Sequence, residues 1–133
     1  MPGRPTVEAM SDRPVLEPTA AHPITITPTA GRVTVRVGGR VVAESDRALS
    51  LAEATIPVVQ YLPLEDVDAS VLRESATQSY CPYKGDASYY SVEVDGRRID
   101  DLIWTYREPY DAVGDIAGLV AFWASRGAQV TVD

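Results

Sequence analysis

Turn residues recur at such short intervals along this chain that long helices have no room, and the segments between them alternate apolar and polar residues at period two. Ile24-Thr25-Ile26 is followed by Val33-Thr34-Val35-Arg36-Val37, and Gly38-Gly39 returns the chain into Val41-Val42-Ala43, the pattern of a β-hairpin. Residues 48–55 (ALSLAEAT) are rich in helix formers, but Pro57 limits them to a short helical turn or a bent strand. Val58 to Leu62, bracketed by Pro57 and Pro63, fits an edge strand or a strand whose ends leave the ladder, and 65–68 reads as a solvated loop. Residues 71–79 alternate weakly and 81–86 are dense in turn residues, so a loop between strands is expected there. A second hairpin joins 88–94 to 97–99 through Asp95-Gly96, and 102–106 is a further strand closed by Glu108-Pro109.

The C-terminal stretch admits two readings. Asp111 as N-cap, with Val113, Ile116, Ala117, Val120 and Ala124 on one face, describes a helix. Gly114 and Gly118 weaken it by about 1 kcal/mol each. The favoured alternative makes 111–118 coil and pairs a strand at 119–124 with 129–132 across Ser125-Arg126-Gly127. Seven to nine short strands imply an all-β domain of several coiled or barrel-like antiparallel sheets with one or two short helical turns.

The 133 residues are the length of one domain, and 45% hydrophobic composition lets it fold without disulfide or metal staples. Residues 1–22 hold four of the ten prolines with little periodicity, so a disordered or loosely docked leader is expected before a β-rich domain at 23–133. A net charge of −7 repels nucleic acid and anionic membranes, and neither a membrane span nor a secretory signal is evident. The expected setting is the cytoplasm.

Three singletons remove whole chemistries. Cys81, His22 and Lys84 are the only residues of their kinds, Lys84 standing against eleven arginines. A lone cysteine makes no internal disulfide or multi-cysteine zinc site, and no metal site is expected. One histidine in a proline-rich leader is a poor member of a Ser-His-Asp or Cys-His pair. Six of the seven tyrosines fall between Tyr80 and Tyr110, together with Trp104, Cys81 and Lys84. Such clustering lines a cavity for an amphipathic ligand or packs a core, and adjacent Tyr89 and Tyr90 must point to opposite faces of a strand.

Cys81 precedes Pro82 at the end of an extended segment, where Lys84 would lower its thiol pKa, against the alternative of inert packing. Lys84 offers a point charge or desolvated amine, against the alternative of a solvated loop residue. Glu53 follows Leu49, Leu51 and Ala52. Facing inward it would have a raised pKa and serve as acid, base or arginine anchor, although surface exposure is the favoured reading. Asp86, Asp100, Asp101 and Asp111 flank turns and match no calcium loop.

The run Tyr80-Cys81-Pro82-Tyr83-Lys84-Gly85-Asp86-Ala87-Ser88-Tyr89-Tyr90-Ser91 resembles a bacterial and fungal family, domain of unknown function 427. It is preceded by Arg47-Ala48-Leu49, Glu53-Ala54 and 57–63, and followed by Ile103-Trp104-Thr105-Tyr106, Pro109, Ile116-Ala117-Gly118 and Val120-Ala121-Phe122. The resemblance spans about 22–132 and implies a small domain of coiled sheets with a pocket shared by Glu53, Tyr61, Cys81, Lys84, Tyr89, Trp104 and Tyr106. Ala124-Ser125 departs from the tyrosine or tryptophan common at that point, altering one wall. The family carries a nucleotidyltransferase-like label, for which this chain offers neither a glycine-rich phosphate loop nor paired metal carboxylates. The expected ligand contacts are Tyr61, Tyr83, Tyr89, Trp104 and Tyr106, with Lys84, Glu53 and Cys81 as chemical groups. The reading that results is a domain binding a small organic molecule without a cofactor. Its alternatives are a cofactor-independent isomerase, cyclase or hydrolase and a non-catalytic interaction module, the latter a homodimer through an edge strand.

Overall fold

The structure, a computed structural model, describes residues 13–133. The leader expected at 1–22 therefore lies outside the described residues over 1–12. Residues 13–22 run without strand or helix along the Pro82 turn, where the Leu16 amide donates to the Pro82 carbonyl at 2.9 Å and Tyr80 Oη donates to the Pro14 carbonyl at 2.6 Å.

Ten strands follow: β1 (Ile24–Pro28), β2 (Val33–Val37), β3 (Arg40–Ser45), β4 (Leu49–Glu53), β5 (Ile56–Pro63), β6 (Leu72–Cys81), β7 (Gly85–Val94), β8 (Arg97–Thr105), β9 (Leu119–Phe122) and β10 (Ala128–Val132). They form a seven-stranded antiparallel sheet in the order β1-β4-β5-β9-β8-β7-β6 and a three-stranded sheet in the order β10-β2-β3. The molecule is all-β, but the barrel-like expectation fails: β1 and β6 are edges that do not meet, so the large sheet stays open. Four short 3-10 turns, rather than one or two, occupy Leu64–Asp66, Ala69–Val71, Asp111–Ile116 and Ala124–Arg126.

Of the two readings of residues 48–55, a helical turn or a bent strand, the strand holds: they contain β4, because pairing with β1 and β5 overrides helix propensity. Other elements differ from expectation. The polar run 72–81 is a full edge strand, so the loop before β7 shrinks to 82–84; an edge exposed on both faces has no reason to alternate clearly. Residues 97–105 form one bent strand. The hairpin expected between 119–124 and 129–132 does not form: β9 pairs with β5 and β8, whereas β10 crosses to pair with β2. Gly127, at a φ of 116°, turns the chain between the sheets. Strand β5 is not an edge of the sheet but lies between β4 and β9, only partly paired on the β9 side. Leu62 and Pro63 pair with β9, while its first half pairs with β4 alone, and Pro57 sits where β5 carries one residue more than β4.

Alternation along the strands divides the large sheet into two faces. Leu62, Ile103, Val120 and Phe122 pack against Val33, Val35, Val42 and Ala128 of the small sheet. Their neighbours Tyr61, Trp104 and Ala121 belong to a second cluster with Leu51, Ala87, Tyr106, Val113 and Ile116 on the opposite face. Tyr89 joins that second cluster and Tyr90 the first, the opposition that adjacency requires.

Candidate functional site

The face turned away from the small sheet carries a cleft of about 330 Å³. Antiparallel register builds its polar end. Ile24 opposes Glu53, and the Ala54 amide donates to the Pro23 carbonyl at 2.8 Å, so the residue just before β1 arrives beside the end of β4. That residue is Pro23, and it brings with it His22, whose Nε2 lies 2.8 Å from Glu53 Oε2. The other carboxylate oxygen accepts from Lys84 Nζ at 2.5 Å. Lys84 is held from behind by its own backbone, its amide donating to the Cys81 carbonyl at 3.1 Å and its carbonyl accepting from the Tyr110 amide at 3.0 Å. The surface placement favoured for Glu53 is thus overturned, and its cationic partner is the lysine rather than an arginine. Burial pushes the Glu53 carboxyl up, but hydrogen bonds and charge from Lys84 and His22 together bring it below the ordinary carboxylate value.

The rest of the cleft is aromatic. Trp104 Nε1 donates to Tyr61 Oη at 3.1 Å, with the two rings edge to face at 6.2 Å. Trp123 tilts against Trp104 at 4.6 Å between ring centres. Tyr89 Oη and Ser79 Oγ pair at 2.8 Å, and half-buried Cys81 lies alongside. Burial pushes the Tyr61 and Tyr106 hydroxyls well above their ordinary range, so both keep their protons.

Lys84, Glu53, Cys81, Tyr61, Tyr89, Trp104 and Tyr106 all line this cleft. Tyr83 does not; its ring stacks on His22 at 4.1 Å and 7°, bracing the histidine from outside. Sequence reasoning missed His22, Trp123, Ser79 and Tyr80. His22 was discounted for its proline-rich surroundings, and the signal that could have found it was its place at the mouth of β1. A broader depression of about 500 Å³ between 15–17 and 109–112 gathers none of the expected residues. Among the described residues, no three His, Cys, Asp or Glu side chains converge as a metal site, and no helix is long and apolar enough to cross a membrane.

Residues 25–133 match the family described as Domain of unknown function (DUF427). The chain belongs to this family. Within this DUF427 chain Glu53, Lys84, Cys81 and the aromatic wall all fall inside the matched region, whereas His22 comes from the segment just before it. No curated protein matches the chain.

Proposed function

We propose that the cleft binds a small organic molecule with a flat apolar body, its polar end directed at Lys84. The observation that carries this reading is the meeting of a buried Lys84–Glu53 pair with an aromatic wall in one open cleft. A volume near 330 Å³ lies within the range of small-molecule sites, roughly 300–1,000 Å³. Aromatic faces supply the area on which an apolar ring is desolvated, and a few fixed polar groups orient it.

Thermal shift of wild type and Lys84→Met against a metabolite library tests this. A compound at 100 times its Kd stabilises the protein by about 2.7 kcal/mol, and the shift is expected to be lost in the variant relative to its own baseline. Ligands that shift both proteins equally, or none at all, would refute the cleft as the site.

A cofactor-independent proton transfer is the second reading, favoured by the chain His22–Glu53–Lys84. It links a partly exposed imidazole to a buried ammonium through one carboxylate. Lys84 would give a proton to an oxygen of the ligand as negative charge develops there, and Glu53 and His22 would return one from solvent. Turnover abolished by Lys84→Met with the fold retained is the result this reading requires.

A further inference from the structure

We infer that the molecule taken up by the cleft presents an acceptor oxygen, of carbonyl or enolate type, on a flat ring to a donor set made of Tyr106 Oη, Tyr61 Oη and Lys84 Nζ. This rests on the reading that the cleft binds an organic molecule, and it names the class.

The inference comes from matching donors to acceptors. Tyr61, Tyr106 and Lys84 are 2%, 8% and 7% exposed as whole residues, and all three line the cleft. Tyr61 Oη accepts from Trp104 Nε1, which leaves its own proton to give, and no acceptor for it occurs among the described residues. Tyr106 Oη has no hydrogen-bond partner among the described residues. Lys84 Nζ gives one proton to Glu53 and carries two more. Trp123 Nε1, in the same wall, is buried without a partner among the described residues.

Acceptors, by contrast, are already engaged. Glu53 Oε1 and Oε2 are engaged by Lys84 and His22, and Tyr89 Oη is closed onto Ser79. A ligand that brings an acceptor completes this site; one that brings an ammonium adds a donor where donors are already in excess.

Charge narrows the class further. Lys84 and Glu53 neutralise each other, and among the described residues no arginine lines the cleft to offset a phosphate or a second negative charge. A neutral carbonyl, or a single charge delocalised into a ring, fits what remains. Trp104 and Trp123 provide the face for that ring.

The test uses three probes on one skeleton, acetophenone, ethylbenzene and 1-phenylethylammonium, titrated into the full chain. The readout is the indole N–H resonances of its two tryptophans, Trp104 and Trp123. Acetophenone is expected to bind about ten-fold tighter than the other two. Tyr106→Phe, which removes one oxygen and keeps the ring, should erase most of that preference while leaving ethylbenzene binding unchanged. Equal or tighter binding of ethylbenzene or the ammonium, or a ketone preference intact in Tyr106→Phe, would overturn the acceptor-oxygen inference and leave an organic-ligand cleft standing. Indole signals unmoved by all three probes up to their solubility would overturn both.

Discussion

At Glu53 a single carboxylate answers two partners, and the consequence can be read in its pH dependence. Its folded pKa is lowered, so the stability it contributes is present above the ordinary carboxylate value of 4.5 and is lost as pH falls through the lower folded value. Glu53→Gln leaves the Lys84 ammonium buried without a counterion, and should cost about 3 kcal/mol at neutral pH. Urea denaturation of both proteins between about pH 5 and pH 3 should show this difference shrinking with acidity, because protonation removes from wild type what the substitution has already removed. A difference constant with pH would show that the carboxylate charge contributes nothing. Lys84 was legible as an oddity of composition, one lysine in a chain that otherwise uses arginine. Its partner was not, since the pairing joins residues 31 apart through a turn and a strand end, and local pattern carries no record of that.

Elements show the same division between local and distant information. The hairpins at Gly38-Gly39 and Asp95-Gly96 were legible because each needs backbone at positive φ, 59° and 83° in the first and 51° and 79° in the second, and the residues that tolerate it stand in the sequence. The partners of β9 and β10 were not, because two strands five residues apart look like a hairpin whichever sheets they join.

Bulges were equally hidden. Strand β8 sets three residues, 100–102, against Ser91 of β7, and β6 sets 75–77 against Tyr89. Asp101 staples the two bulges. Its carboxylate accepts from Ser75 Oγ at 2.5 Å and Thr77 Oγ1 at 2.8 Å, its amide donates to Ser91 Oγ at 3.0 Å, and its φ is 53°. Sequence reasoning took Asp101 for a turn residue; the hydroxyls that bind it sit 24 and 26 positions away. Asp101→Ala loses both hydroxyl bonds and places an alanine in the left-handed region, so an unfolding free energy lower by about 2 kcal/mol is expected, with Asp101→Asn losing roughly half as much.

Over the whole molecule, the large sheet serves two masters. One face closes the core against the small sheet, and the other forms the floor of the cleft. Residues on its two faces should therefore fail differently. Leu62→Ala, in the sandwich core, is expected to cost about 3 kcal/mol in a denaturant melt while leaving ligand affinity unchanged under native conditions. Trp104→Ala, on the other face, should abolish binding in the same titration. Loss of affinity in Leu62→Ala at full folding would show the faces to be coupled.

That alternation has a consequence for how such a chain changes over generations. On β5 and β8 a position that lines the cleft stands directly beside one that packs the core, as in Tyr61-Leu62 and Ile103-Trp104. A lineage can rewrite such cleft letters while inheriting the sandwich core beneath them intact. Selection on chemistry and selection on folding then act on separate alphabets within the same short words.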